Sequence, residues 1–277
     1  MTEVLVTGAA GKTGRAVTKA LVCRGARVRC AVRPGSSTPI HEDAAARRVP
    51  VDLATGEGLG VALAGVDAVY VIAPNVNARE VEMVRHIADA AVAAGIPRVV
   101  YHSVMHPDDT AMPHHLRKHE AEKLLREKPF GLTILRPAAY HQNLRPAALA
   151  GEIAVPYSLD VPFTNVDLDD IAQVAATAVL TRELDHAAYD LAGPQELSVR
   201  ELAAIAADVL GRPVRATQIS REEWLAGAGA ALAPQPRADL LAMFTAYDRE
   251  GFAGDSTILP RLLGGAPSTW ENVLSVA

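Results

Sequence analysis

Short apolar runs alternate with amphipathic stretches along the first half of the chain. The apolar runs predict strands at residues 3–6, 26–32, 47–51, 67–73, 98–104 and 132–137. The amphipathic stretches repeat apolar residues every three or four positions, which predicts helices at residues 15–25, 79–95 and about 114–127. Strands that are apolar on both faces and alternate with helices are typical of parallel β-α-β units. The pattern therefore predicts an α/β fold with a doubly wound parallel sheet.

The pattern loosens after Pro137, where glycine and proline interrupt it more often. Here it predicts helices at residues 168–180 and 198–210, strands at 187–191 and 213–218, and short helices and loops over 220–277. We therefore expect a sheet domain over residues 1–150, with returning segments at about 160–195, and a smaller α+β lobe over residues 151–277.

Five aromatic residues are concentrated in the last stretch: Trp224, Phe244, Tyr247, Phe252 and Trp270. Two interpretations fit them equally well. They would suit a small lid or substrate lobe, and they would equally suit the core of a small domain.

Composition narrows the function classes. The chain has 277 residues and a net charge of -5 without a basic block, which argues against a nucleic-acid partner. Its apolar runs are shorter than the roughly 18 residues of a membrane span, and the N-terminus opens directly into a strand. Cys23 and Cys30, both in apolar stretches, predict two reduced core thiols. We expect a cytoplasmic protein.

The segment TGAAGKTG, residues 7–14, follows the first predicted strand and admits two interpretations. A Walker A loop needs a glycine five positions before its Gly-Lys pair, but Val6 stands there. A dinucleotide-binding turn needs Gly8 for the tight turn, Gly11 for close approach of the pyrophosphate, and Gly14 for packing of the helix against the strand. All three are present, so we interpret the segment as a dinucleotide-binding turn with the helix N-terminus facing the phosphates.

The end of the second predicted strand bears on the choice of cofactor. An acidic residue there would bind the 2′-hydroxyl of NAD, whereas the chain has Arg33, followed by Ser36 and Ser37. An arginine pairs well with a 2′-phosphate, so the sequence favours NADP(H) over NAD(H), with a solvated surface arginine as the alternative. Asp52 and Leu53, after the third strand, would lie where an adenine amino group is bound, although Asp52 would also serve as a helix N-cap.

Segments spread over nearly the whole chain carry a family resemblance. They are VTGAAGKTGRAV, AVRPG, VDLATGEGLGVALAGVDAVYVIAP, KHEAEKLL, GLTILRPAAYHQNL, NVDLDDIAQVAATAVL, YDLAGPQELSVRELAAIAADVLGRPV and LLGGAPSTWENV. Together they resemble the NmrA-like atypical short-chain dehydrogenases/reductases. The resemblance implies an NAD(P)-binding Rossmann domain, a smaller C-terminal substrate lobe and a substrate cleft between them.

The resemblance also implies a set of cofactor-lining residues. Carried over by position, they are Gly8, Gly11, Lys12, Thr13, Gly14, Arg33, Asp52, Ala73, Pro74, Ser103, Lys118, Pro137 and Tyr140.

The catalytic residues depart from the better-known short-chain reductases. Those enzymes use a Tyr-x-x-x-Lys pair, in which the lysine holds the nicotinamide ribose and lowers the pKa of the tyrosine that donates a proton. Lys118 matches the lysine, but His114 stands four residues earlier, and no tyrosine lies between Ser103 and Lys118. His114 would relay the proton or would simply face solvent. Ser103 is a candidate hydrogen-bond donor to a substrate carbonyl, although the serine register falls nearer Val104.

Two polar clusters have simpler interpretations than a metal site. His115 and His119 are four residues apart, but Leu-Arg-Lys lies between them and the cation of Lys118 would repel a metal, so we expect none. The acidic residues Asp167, Asp169 and Asp170 fit the N-cap and first turn of the helix that follows.

These observations predict an enzyme that uses NADP(H) to reduce a ketone or quinone, with an aromatic or polycyclic substrate such as those of natural-product tailoring ketoreductases. A quinone or phenolic substrate needs little help with protonation, which accommodates the absent tyrosine. The alternative is a non-catalytic regulator that senses NADP(H), since the resemblance includes such members. We expect a monomer or homodimer.

Overall fold

A computed structural model gives the structure and describes residues 1–276. The strands are β1 (Glu3–Val6), β2 (Arg27–Val32), β3 (Ala46–Pro50), β4 (Ala68–Val71), β5 (Arg98–His102), β6 (Gly131–Pro137), β7 (Glu152–Val155), β8 (Ala187–Leu191) and β9 (Arg215–Gln218). A seven-stranded sheet has the order β3-β2-β1-β4-β5-β6-β8, and β7 pairs with β9 in a second sheet. The neighbouring pairs from β3 to β6 are parallel, so the predicted doubly wound α/β fold is confirmed.

Helices connect these strands. They are α1 (Lys12–Cys23), α2 (Leu59–Leu63), α3 (Glu80–Ala93), α4 (Pro113–Arg126), α5 (Arg145–Ala150), α6 (Leu168–Leu180), α7 (Val199–Leu210), α8 (Arg221–Ala226), α9 (Pro234–Glu250), α10 (Ile258–Leu263) and α11 (Trp270–Ser275), with a short 3-10 helix at His141–Asn143. Among the described residues, no helix combines the length and apolar character that a membrane crossing requires.

The central strands are buried on both faces. Every residue of β1 and of β4 is buried, and the register pairs Val4 with Ala68 and Val6 with Tyr70. Burial on both faces is what their continuous apolar character predicts. The strand order reverses between β1 and β4. Doubly wound sheets bind ligands at such a reversal, in the crevice outside the carboxyl ends of the strands.

Two compact units interleave along the chain. Unit 1 comprises residues 1–107, 116–136 and 171–189, and unit 2 comprises residues 108–115, 137–170 and 190–277. The core of unit 1 gathers aliphatic side chains of the sheet and its helices, among them Leu5, Val69 and Ile87. The core of unit 2 packs β7 and α7 around Trp270, which is fully buried.

The structure corrects several expectations about local elements. α1 begins at Lys12 rather than residue 15, because the glycine turn is short enough for the helix to start inside it. The strand β7 and the helices α2 and α5 were not predicted, because each has six residues or fewer and shows no clear period. The predicted run of short helices after residue 220 contains a 17-residue helix, α9.

The two cysteines differ in burial. Cys30 is buried on β2, as predicted, but Cys23 is exposed. Cys23 is the last residue of α1 and lies four residues after exposed Lys19, on the face opposite buried Leu21, so the prediction of two core thiols is wrong for this residue.

The five C-terminal aromatic residues are all buried. Four of them join Tyr157 and Phe163 in a chain of ring contacts within unit 2, with ring centroids 4.9–5.9 Å apart. Trp270 instead stacks on His141, with the ring centroids 5.2 Å apart and an angle of 25° between the ring planes. In unit 2 these rings are core residues.

Candidate functional site

Three glycines allow α1 to pack directly against the turn that precedes it. Gly8 has a φ of +60°, and a Cβ on it would lie 3.1 Å from the Cβ of Ile72. A Cβ on Gly14 would lie 2.3 Å from the carbonyl oxygen of Gly8 and 2.6 Å from the Cα of Ala9. A Cβ on Gly11 would lie 3.2 Å from the same carbonyl oxygen. We call Gly8, Gly11 and Gly14 the glycine cradle; at Gly14 no side chain fits unless the backbone moves.

The N-terminus of α1 is suited to an anion. Its N-cap is Gly11, which has no side chain to accept from the first N–H groups, and no acidic residue lies in the first turn. These N–H groups have no partner within the helix and carry the positive end of its dipole. The predicted residues Lys12 and Thr13 begin this turn. The cradle therefore fits the pyrophosphate of a dinucleotide.

Thr7, the residue before the cradle, is bonded to Ile72 just beyond β4, where the strand order reverses. The Thr7 hydroxyl donates to the Ile72 carbonyl at 2.9 Å and accepts from the Ile72 N–H at 2.8 Å. The predicted residues Ala73 and Pro74 follow directly, the first buried and the second exposed. Unit 1 thus places these two next to the cradle at the strand ends.

Backbone strain marks the loops after β4 and β5. Val76 has a φ of 52°, which is unusual for a β-branched residue, and His106 has a φ of 51°. Left-handed backbone at a residue other than glycine costs about 1–2 kcal/mol. Such strain concentrates at functional sites, and both loops leave the sheet edge that carries the cradle.

The loop after β2 presents Arg33 to solvent. Arg33 is exposed, and its side chain has no ion pair or hydrogen bond to any residue that the structure describes. Arg48, on the neighbouring strand β3, donates to the carbonyl oxygens of Ser36 at 3.1 Å and Thr38 at 2.5 Å. Arg48 therefore holds the loop in place while the guanidinium of Arg33 is available to a ligand.

Asp52 lies in a turn rather than at the start of a helix. Its side-chain oxygen accepts from the Ala54 N–H at 2.8 Å, and the next helix, α2, has Gly58 as its N-cap. The N-cap interpretation of Asp52 is therefore wrong. The carbonyl oxygen of Leu53 lies 3.0 Å from Nδ1 of His86.

Lys118 belongs to a buried polar cluster. Its Nζ lies 2.8 Å from Oε1 of Glu80, and the hydroxyl of Tyr101 donates to the same oxygen at 2.7 Å. The side chains of Glu80 and Lys118 are 1% and 12% exposed, and Tyr101 is fully buried. We call Glu80, Tyr101 and Lys118 the lysine cluster. Burial, followed by the charge of Glu80 and the hydrogen bond to it, raises the pKa of Tyr101 well above its usual value.

Ser103 donates its hydroxyl to a second buried carboxylate. Its Oγ lies 2.6 Å from Oε1 of Glu122, and Arg136 binds both oxygens of that carboxylate, at 2.9 and 2.5 Å. The strand β5 ends at His102, one residue before Ser103. The geometry therefore gives the Ser103 hydroxyl a structural acceptor.

His102 is held neutral beside the lysine cluster. Its Nδ1 lies 2.6 Å from the hydroxyl of Tyr70, and its carbonyl oxygen accepts from Lys118 at 3.4 Å. Burial, with a contribution from the charge of Lys118, lowers the pKa of His102 to about 3.

The remaining predicted residues lie in unit 2. His114 is buried, with its ring edge-on to His115 at 4.5 Å, so the solvent-facing interpretation is wrong. His115 in turn packs edge-on against Phe252, with the ring centroids 5.7 Å apart. Pro137 is buried, and Tyr140 is half-buried, with its backbone bridging Val166.

The acidic cluster at the start of α6 has protein partners, since the side-chain amide of Gln142 donates to Asp167. No group of three or more potential metal ligands occurs among residues 1–276. Asp169 and Asp170 lie in the first turn of α6, as predicted, and Asp170 accepts from Ser268.

Sequence reasoning missed Glu80, Tyr101 and Glu122. Glu122 lies four residues after Lys118 on α4, a spacing that places both on one helical face. Glu80 is 38 residues from Lys118 in sequence, so no local spacing connects them.

The chain has relatives of nearly its own length. It is 29% identical to a (4-alkanoyl-5-oxo-2,5-dihydrofuran-3-yl)methyl phosphate reductase of Streptomyces griseus, over 96% of this chain and 94% of that protein. It is 26% identical to quinone oxidoreductase 2 of Escherichia coli, over 98% of this chain and 97% of that protein.

Solved structures share the fold. The structure of the NADPH-dependent quinone oxidoreductase QOR2 of Escherichia coli, in complex with NADPH, matches with a TM-score of 0.84 at 23% identity and covers 98% of both chains. The negative transcriptional regulator NmrA matches with a TM-score of 0.78 at 16% identity, over 99% of this chain and 95% of that one. The model of the NmrA-like family matches residues 1–259. The protein therefore belongs to the NmrA-like family.

Proposed function

We propose that the protein is an NADPH-dependent reductase of a quinone or an aromatic ketone. The observation that carries this proposal is the glycine cradle, packed against an uncapped helix N-terminus where the strand order reverses. Both curated relatives described above are named as reductases or oxidoreductases, and they match over nearly the full length of the chain. A dinucleotide site in an NmrA-like chain and two redox relatives together support an NAD(P)H-dependent enzyme.

Residues of unit 1 would hold the parts of the cofactor. The cradle would bind the pyrophosphate, and Arg33, with Ser36 and Ser37, would bind the 2′-phosphate, which is why we favour NADPH over NADH. Asp52 and Leu53 would lie near the adenine, and Lys118 would donate to the nicotinamide ribose. When bound, the nicotinamide supplies the hydride.

Proton supply supports the proposed substrate class. The hydroxyls of Tyr101 and Ser103 donate to the buried carboxylates of Glu80 and Glu122, so neither is free to protonate a strongly basic alkoxide. A hydroquinone or phenol oxygen is a much weaker base and needs little help with protonation. Quinones, and aromatic ketones with an adjacent hydroxyl, therefore suit this chain better than simple aliphatic ketones.

Turnover tests the proposal directly. Purified protein is mixed with NADPH and a panel of quinones, hydroxylated aromatic ketones and aliphatic ketones, and the loss of NADPH absorbance is followed. We expect turnover with at least one quinone or aromatic ketone, and much slower reaction with aliphatic ketones. Tight binding of NADPH without turnover on any member of the panel would refute the reductase.

A regulator that senses NADP(H) is the second candidate. The likeness of fold to the regulator NmrA favours it, as does the lack of a tyrosine between Ser103 and Lys118. A sensor would bind NADPH and NADP+ with different affinities and would not consume NADPH. Measuring both dissociation constants beside the turnover assay separates the two functions.

A further inference from the structure

The carboxylate of Glu80 is buried at the first residue of α3 and is shared by two donors. Tyr101 and Lys118 both donate to its Oε1, at 2.7 and 2.8 Å. The carboxylate is 1% exposed, and it reaches Lys118 from a different helix. A buried carboxylate that has lost its water needs such partners, because an isolated buried charge is costly.

The ammonium of Lys118 has three N–H donors. One is directed to Glu80, and a second reaches the carbonyl oxygen of His102, at 3.4 Å, at the end of β5. The Nζ also lies 5.6 Å from the centroid of the Tyr101 ring. These contacts fix the position of the nitrogen and leave the third donor for a ligand.

We infer that Glu80 is a positioning residue, which acts through Lys118 to hold its ammonium in place for the nicotinamide ribose. This inference rests on the proposed function, since it needs Lys118 to contact the cofactor. Without the carboxylate, the flexible lysine side chain would have to be ordered each time the cofactor binds, which costs conformational entropy.

The same contacts assign Lys118 to binding rather than to acid activation. In a Tyr-Lys pair the lysine charge lowers the pKa of a neighbouring phenol, but here the carboxylate of Glu80 neutralises that charge. The phenol of Tyr101, which shares the Glu80 carboxylate with Lys118, keeps its proton, because burial and Glu80 raise its pKa. Loss of Glu80 should therefore weaken cofactor binding more than it slows turnover.

A double-mutant cycle on the full-length protein tests this. Glu80→Gln keeps the size of the side chain and removes its charge, and Lys118→Gln removes the ammonium but leaves a polar side chain. NADPH affinity of the two single variants and the double variant is measured by fluorescence titration. We expect each single variant to raise the Kd about tenfold, and the double variant to raise it no more than Lys118→Gln alone, because Glu80 acts only through Lys118. At saturating NADPH, kcat of Glu80→Gln should change less than about threefold.

Glu82→Gln is the matched control. Glu82 lies two residues further along α3, is exposed and pairs with Arg79, so its loss removes the same charge from the same helix turn. Its Kd for NADPH should equal that of the wild type. Circular dichroism shows whether Glu80→Gln folds. If it does not, Tyr101→Phe is the second variant: it keeps the Glu80–Lys118 pair but removes the other donor to Glu80, and we expect a smaller rise in the Kd for NADPH.

Three results would overturn the inference: a wild-type Kd for Glu80→Gln, a wild-type Kd for Lys118→Gln, or additive effects in the double variant. If Glu80→Gln does not fold, a wild-type Kd for Tyr101→Phe overturns it. Failure of the proposed function is distinct, because it would appear as NADPH binding by the wild type without turnover, and the cycle would still decide the role of Glu80. If the wild-type protein binds no NADPH, both the proposed function and the role of Glu80 are refuted.

Discussion

Ser103 donates its hydroxyl to Glu122, with Oγ 2.6 Å from Oε1, while Arg136 binds both oxygens of the same carboxylate. This links the end of β5 to α4 and to β6 inside unit 1. A serine in this position of a reductase would be expected to bind a substrate carbonyl. The observed bond gives it a structural partner instead.

Ser103→Ala should therefore reduce stability more than activity. Loss of a hydrogen bond to a buried carboxylate should lower the free energy of unfolding by roughly 1–3 kcal/mol. We expect kcat/KM to stay within about threefold of the wild type, because the hydroxyl already donates its proton to Glu122. Urea unfolding and steady-state kinetics measure the two effects. Ser275→Ala, at an exposed serine, is the control. A large loss of kcat with unchanged stability in Ser103→Ala would contradict the structural role of Ser103.

Gly14→Ala should disrupt the glycine cradle. The added Cβ would lie 2.3 Å from the Gly8 carbonyl oxygen, so α1 must move away from the turn. We expect a loss of roughly 1–3 kcal/mol in stability and a weaker affinity for NADPH. Gly60→Ala is the matched control, because a Cβ there meets no atom within 4 Å and the exposed helix gains stability from alanine. Unchanged NADPH affinity in Gly14→Ala would argue against the cradle as the phosphate site.

Arg33→Gln should reduce the preference for NADPH. If Arg33 binds the 2′-phosphate, its loss removes a charge-assisted contact that NADH lacks, and the Kd for NADPH should rise about tenfold or more, with that for NADH nearly unchanged. Titration with both cofactors measures this. Arg182→Gln, another exposed arginine of unit 1, is the control. Equal weakening of both cofactors would refute the assignment.

His141 should make unit 2 less stable in acid. Burial lowers its pKa to about 4, although Asp167 and Glu271 partly oppose this shift. The unfolded chain, with a histidine pKa near 6.5, binds a proton first, so stability is complete above about pH 6.5 and is lost as the pH falls towards 4. The loss is on the order of 3 kcal/mol.

His141→Phe tests this pH dependence. Neither ring nitrogen of His141 has a hydrogen-bond partner among the described residues, and the ring stacks on Trp270, so phenylalanine keeps the contact and loses no hydrogen bond. Urea unfolding at several pH values should show a flatter acid dependence for His141→Phe, and the wild-type dependence for His41→Phe. The same slope in wild type and His141→Phe would assign the acid sensitivity to another group.

The two cysteines should differ in reactivity. A thiol reagent should label Cys23 in the native protein and leave Cys30 unlabelled until urea is added, because Cys30 is buried and burial raises its pKa. Mass spectrometry of labelled peptides identifies the modified residue. Labelling of Cys30 at the rate of Cys23 would show that β2 opens readily.

Features that depend on neighbouring residues were predictable from the sequence. The strand and helix order follows from hydrophobic periodicity, and the glycine turn follows from a fixed local spacing between a strand and a helix. The departures have two physical reasons. Short elements such as β7 carry too few residues to show a period. Cys23 lies on the face of α1 that carries exposed Lys19, and not on the buried face of that helix.

The partners of the polar side chains were decided only by the tertiary structure. From the sequence, Lys118 belongs with His114, four residues away on the same helix, yet Lys118 pairs with Glu80 across 38 residues. Ser103 likewise finds Glu122, which is 19 residues away. A carboxylate buried among sheet and helices must obtain its hydrogen bonds from whichever donors the packing brings within about 3 Å. Local spacing determines which residues share a helix or strand face, whereas the choice of buried partners depends on how those faces pack.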